Sequence, residues 1–263
     1  MAADELKILF VADVVGHPGR DAVKALLPAL KQELKPELVI LNGENAAGGF
    51  GLTAKIAAEL KAAGADIITS GNHVFAQKEF VGELPGLDRV LRPANYPPPA
   101  PGKGSCVVQA AGHDVLVMNL MGRIFLDALD DPFRAADAIL AEHPGVKVIF
   151  CDMHAEATSE KTAMGWYLDG RASAVVGTHT HVATADARVL PGGTAYVTDV
   201  GMVGPRDSCI GMDKDVVLQR FLTGVPSRFV VASGAVTFNS VLVTISPSTG
   251  QATSIQRIDR EHV

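Results

Sequence analysis

The chain has 263 residues, a formal charge of −6 and 48% hydrophobic residues, ample for a large core without disulfide staples. Its 3 cysteines, Cys106, Cys151 and Cys209, form no CxxC pair, which argues against a disulfide scaffold and a cysteine zinc site and leads us to expect a reducing, cytoplasmic setting. No window reaches the roughly 18 apolar residues of a membrane span. The acidic opening MAADELKILF has no signal-peptide pattern, and the lack of a Lys and Arg block disfavours a direct grip on long nucleic acid.

Short β-branched runs alternate with Ala- and Leu-rich helical stretches, the pattern of a largely parallel sheet in a single domain over residues 1–263. Lys7–Ala12, Leu38–Leu41 and Asp66–Thr69 read as strands. Helices are expected over Gly19–Leu34, with Pro28 as a kink, and over Thr53–Ala63. Pro97–Pro101 reads as a surface loop, and Gly104–Leu120 as an antiparallel hairpin turning at Gly112–Asp114. Helix Asp131–Glu142, strand Val146–Cys151, helix Ser159–Leu168 and strand Ala172–Val176 follow, with Ser159 as the expected cap of its helix. Antiparallel character returns over Ala187–Val197 and around Pro247–Gly250; His262 is expected to be disordered.

In an open α/β sheet, ligands bind beyond the carboxyl ends of the strands. Here those ends carry Asp13, then Glu44 and Asn45, Asn72 and His73, Asp152 and His154, and finally His179 and His181. All are oxygen or imidazole donors, suited to divalent Mn, Fe or Zn. Taken singly, a strand-end Asp is a turn former, and NGEN or SGNH is an ordinary turn. His179 and His181, two apart on an extended segment, would point the same way. Their joint occurrence at successive strand ends favours a metal site over a set of turns.

Read in order, Asp13, Gly43-Glu44, Gly71-Asn72-His73, His154 and the GTHTH run ending at His181 resemble the motif series of the calcineurin-like metallophosphoesterases. NGENAAGGFGL, TSGNHVF, DMHAEATSEK, VVGTHTHVATAD and TAYVTDVGMVGP are similar to the YmdB branch of that superfamily, phosphodiesterases of cyclic nucleotides. The resemblance implies an α/β sandwich of two mixed β-sheets flanked by helices, holding two divalent transition metal ions, Fe or Mn foremost, with Zn or Mg as alternatives. By position it makes Glu44 the bridging ligand. Asp13, Asn45 and His181 would complete one ion, and Asn72, His154 and His179 the other. Three positions depart from the general superfamily: Val15 stands where a His is usual, Glu44 where the bridging acid is an Asp, and Val74 where an acid usually orients the catalytic His.

Two such ions polarise a bridging water to hydroxide and clamp the phosphoryl oxygens, supplying the positive charge the side chains lack. His73 is the candidate to protonate the leaving ribose oxygen. The expected substrate is a small phosphodiester, a 2′,3′-cyclic nucleotide. Alternatives are a phosphomonoesterase or nuclease on the same ions, or a regulatory protein acting through RNA-processing partners; a homo-oligomer is compatible with all of them. Phe50, Phe75 and the stretch Gly201–Met212 could line a base pocket, and Thr158–Lys161 could reach the phosphate.

Overall fold

The computed structural model describes residues 5–263; residues 1–4, which open the acidic N-terminus, lie outside the described residues. The elements run β1 (Leu6–Val11), β2 (Asp13–Val14), α1 (Gly16–Leu34), β3 (Leu38–Asn42), α2 (Ala54–Ala62), β4 (Ile67–Thr69), α3 (Lys78–Glu83), β5 (Ser105–Ala110), β6 (His113–Met121), α4 (Pro132–Glu142) and β7 (Val148–His154). They continue with α5 (Thr158–Tyr167), β8 (Ala174–Thr178), β9 (Arg188–Val189), β10 (Ala195–Val197), β11 (Met202–Pro205), α6 (Lys214–Thr223), β12 (Val236–Phe238), β13 (Ser240–Ile245), β14 (Ala252–Arg257) and β15 (Arg260–His262).

Two mixed sheets carry the architecture. One has 5 strands in the order β14-β13-β1-β3-β4, the other 6 in the order β5-β6-β7-β8-β10-β9. Side chains alternate across a strand, so β1 serves two cores at once. Leu6, Ile8 and Phe10 point between the sheets, where Phe10 stacks on Phe150 at 5.5 Å between ring centroids. Leu9 and Val11 point outward beneath α1 and α2, whose Val23, Leu27 and Leu60 share that second core. On the far face α4 and α5 pack Ala136, Ile139 and Met164 against Met118, Cys151 and Val175. Four layers result, helices outside and sheets inside. Because β1, β3 and β4 run parallel, as do β6, β7, β8 and β10, their carboxyl ends can present polar side chains at a common edge.

Several local readings change. A third, 4-stranded sheet, β15-β12-β11-β2, sits beside the main pair and binds the segment after β1. Helix α1 begins at Gly16 rather than Gly19 and is continuous through Pro28. Helix α5 is capped by Ala157 with no side-chain bond, so Ser159 lies inside the helix. β10 pairs antiparallel with β9 but parallel with β8. His262 is ordered, paired with Val236 across β15 and β12. The Pro97–Pro101 loop is organised by the Arg92 guanidinium, which donates to the carbonyls of Pro93, Ala100 and Pro101. No helix among the described residues is long and apolar enough to cross a membrane.

Candidate metal centre

All the strand-end candidates come together. His154, the last residue of β7, is the hub: its Nε2 lies 3.2 Å from Glu44 Oε1, 2.9 Å from Asn72 Oδ1 and 3.1 Å from His179 Nδ1. The Asn45 amide donates to Glu44 Oε1 at 3.1 Å and lies 3.1 Å from His181 Nε2. Asp13 joins from β2, where Oδ2 accepts the His179 backbone N–H at 3.1 Å. His73 donates its backbone N–H to Glu44 Oε2 at 3.1 Å, and its Nε2 meets the Asn72 amide nitrogen at 3.3 Å. The tips of these two neighbours therefore touch, although turn geometry alone suggests that they diverge. Among the described residues, Glu44, His154 and His179 offer ligand atoms that all lie within 4.8 Å of one another. A Cβ at Gly71 would overlap His154 Nε2 and Glu44 Oε2, so glycine at that turn keeps the space between them open.

The HxH pair does not sit on an extended segment. His179 and His181 have φ of 100° and 64°, so left-handed backbone, not strand alternation, brings both rings to the site. The segment between them is pinned by Asp199, whose Oδ2 accepts from the Thr180 N–H at 3.1 Å, the Thr180 hydroxyl at 2.8 Å and Lys161 Nζ at 2.8 Å. Lys161 and Asp199 are each about 1% exposed, so Lys161 is a buried structural cation and does not reach a phosphate. Glu160 likewise turns away, accepting from the Arg123 backbone N–H. Lys161→Met should cost about 3 kcal/mol or more by stranding a buried carboxylate; a urea melt checks this, and an unchanged midpoint would contradict it.

The outer bonds fix which nitrogen each imidazole turns inward. Thr178 donates its one hydroxyl hydrogen to Asp152 Oδ1 at 2.7 Å, so at 3.0 Å it accepts from His154 Nδ1, leaving Nε2 facing Glu44. His181 Nδ1 donates to the Ile210 carbonyl at 2.8 Å, leaving Nε2 inward. His179 Nε2 lies 3.1 Å from Glu156 Oε2, which leaves Nδ1 inward. Asp152 in turn accepts from Asn42 at 3.0 Å and Thr69 at 2.5 Å, tying the two sheets together beneath the site. Its position two residues before His154, on the same strand face, is the sequence signal for this supporting role. Glu156 carried no such signal.

Electrostatics favour a cation. Burial and the like charge of Glu44 push the Asp13 carboxyl up, against the pull of His154, and its Oδ1 is buried with no hydrogen-bond partner. Burial also opposes the Glu44 charge, but the His154 and His73 contacts outweigh it and hold the carboxyl at about 2. Burial would lower His154, yet Glu44 raises it to about 9. Burial and the neighbouring His154 push His179 down to about 3, and burial lowers His181. An unsatisfied buried carboxyl oxygen, a neighbouring ionised acid and inward-facing imidazole nitrogens together fit divalent metal.

Above this floor lies a cavity of about 520 Å³. Phe50 lines it and meets the His73 ring edge-on at 5.0 Å. Phe75 instead joins the core against Tyr96. Cys209, Ile210 and Met212 line the cavity, as expected of that stretch, and α6 adds Val217 and Phe221, which the sequence did not reveal.

Two sheets facing across a common core, helices outside, and a strand-end cluster of acids, amides and imidazoles make this a metallophosphoesterase of the calcineurin-like fold. Over residues 9–258 the chain matches the YmdB-like protein family, and it belongs to that family. It is 54% identical over 254 residues, 96% of each chain, to a 2′,3′-cyclic-nucleotide 2′-phosphodiesterase of Bacillus subtilis. A crystal structure of a hypothetical protein from Thermus thermophilus superposes with a TM-score of 0.93 at 45% identity, covering 98% of this chain and 100% of that one. A Mycoplasma pneumoniae structure described as a novel phosphatase gives 0.93 at 32% identity, covering 98% and 94%.

Proposed function

We propose that the chain hydrolyses small 2′,3′-cyclic nucleotides on a dinuclear centre of Fe or Mn, breaking the bond from phosphorus to the 2′ oxygen. The observation that carries this reading is the buried, unpartnered Asp13 Oδ1 in a cluster where His154 turns Nε2 to Glu44 and His179 and His181 turn a nitrogen inward, at the floor of a nucleotide-sized cavity. Glu44 would bridge the ions, with Asp13, Asn45 and His181 on one and Asn72, His154 and His179 on the other. The contacts sort the same way: Asn45 touches His181, while Asn72 and His179 touch His154. Bound there, the metals supply water activation and neutralise phosphoryl charge. His73, on the cavity wall, protonates the departing 2′ oxygen, and Phe50 holds the His73 ring edge-on.

The apolar mouth suits a nucleobase better than a long polyanion. Phe221 on α6 is 83% exposed and lines the cavity beside Phe229, over which the Arg220 guanidinium sits at 5.0 Å. Stacking a base on an aromatic ring contributes about 1–3 kcal/mol. Phe221→Ala should therefore raise KM for a 2′,3′-cyclic nucleotide about tenfold, with kcat little changed. Unchanged KM would remove the ring from substrate binding. The function itself is tested with Mn-loaded protein on 2′,3′-cyclic nucleotides, linear dinucleotides and phosphomonoesters. Preference for the first supports the reading, and preference for either of the others would replace it with a nuclease or a phosphomonoesterase.

A further inference from the structure

The charges that line the cavity are unusual for a site that receives phosphate. Among the described residues no Lys or Arg lines it, and its acids are Glu44, buried in the floor, and Glu156. The Glu156 side chain is 48% exposed, with Oε2 3.1 Å from His179 Nε2. Lys161, the neighbouring cation, is buried and committed to Asp199. Among the described residues the cavity thus has no lining Lys or Arg to compensate a second negative charge on a substrate, and one carboxylate opposes it.

We propose that Glu156 is a specificity-determining residue that selects phosphodiesters over phosphomonoesters by charge. The inference rests on the reading of this cavity as a phosphoester site. A phosphodiester carries one negative charge, whereas a phosphomonoester carries nearly two above its second pKa of about 6. Both would place the first charge on metals held by the strand-end residues. Only the monoester brings another into the cavity that the Glu156 carboxylate lines, where like charges in a partly screened site repel appreciably. The same repulsion acts on the 3′-phosphate of the expected product, which is a monoester, and so favours its release.

Glu156→Gln tests this directly, because the amide oxygen still accepts from His179 Nε2 while the charge is gone. Turnover of bis-p-nitrophenyl phosphate and of p-nitrophenyl phosphate is measured on parent and variant loaded with Mn, with metal content counted in both. Any loosening of His179 lowers both activities together and cancels in their ratio. The expected result is a shift of the kcat/KM ratio toward the monoester by about tenfold, accompanied by tighter inhibition by adenosine 3′-monophosphate. An active parent whose ratio is unchanged in the variant would overturn the role of Glu156 and leave it as an orienting partner of His179. A metal-loaded parent that cleaves neither ester would overturn the proposed function and this inference with it.

Discussion

Glu44→Gln should strip the protein of bound metal while leaving the fold standing. Glu44 is buried, and its carboxylate faces the Asn45 amide at 3.1 Å, His154 Nε2 at 3.2 Å and the His73 backbone N–H at 3.1 Å. A glutamine of the same shape can still accept from Asn45 or His73 with its oxygen and donate to the inward His154 nitrogen with its NH₂. What it cannot do is neutralise two cations. Loss of an outer-sphere partner alone costs about 10- to 100-fold in metal affinity, and loss of the shared anion should exceed that at both ions. Mass-spectrometric metal counting beside a thermal melt checks the prediction. A variant that keeps both ions as tightly as the parent would remove Glu44 as the bridge.

His73→Ala should keep its metal and lose about 10²- to 10⁴-fold in turnover of a cyclic nucleotide, the usual worth of general acid catalysis. The backbone N–H that anchors residue 73 to Glu44 survives the substitution, and Asn72 Oδ1 stays at 2.9 Å from His154. Glu44 and Asn72 Oδ1 keep these partners, and only the 3.3 Å contact of the Asn72 amide nitrogen with the His73 ring is lost. Bis-p-nitrophenyl phosphate releases a phenolate that needs little protonation, so its turnover should fall much less. Equal losses on the two substrates would show that His73 positions the phosphate without donating a proton.

The main sheets were legible because their strands obey simple rules. Leu6, Ile8 and Phe10 alternate with Lys7 and Leu9, and the polar residue that ends each run stands outside the core. The third sheet left no comparable trace: β2 has 2 residues, β12 has 3, and β11 ends in Gly204 and Pro205. Helix α6 was hidden because Leu218, Phe221 and Leu222 point to solvent or the cavity, so its apolar residues do not mark a buried stripe. Strand-end order brought Asp13, Glu44, Asn72, Asp152, His154 and His181 into view, but not the contacts that orient the imidazoles. Thr178 and Asp152 act across neighbouring strands, and Glu156, beyond the end of β7, reaches His179, beyond the end of β8. What replaces the missing acid after His73 is likewise a tertiary fact. Val74 is core, while the His73 ring meets the Asn72 amide nitrogen and the edge of Phe50, and its backbone N–H is held by Glu44, 29 residues away in sequence. Spacing arguments also misjudged His179 and His181, whose left-handed backbone no pattern of residue types announced.

The most direct test counts metal and turnover on one preparation. Protein purified anaerobically without chelator is assayed on a 2′,3′-cyclic nucleotide and its metal measured, before and after exhaustive chelation and again after Mn is restored. We predict about two transition metal ions per chain, turnover that disappears with them, and recovery on reloading. A metal-free chain that still turns the cyclic nucleotide over at the original rate would contradict the dinuclear account.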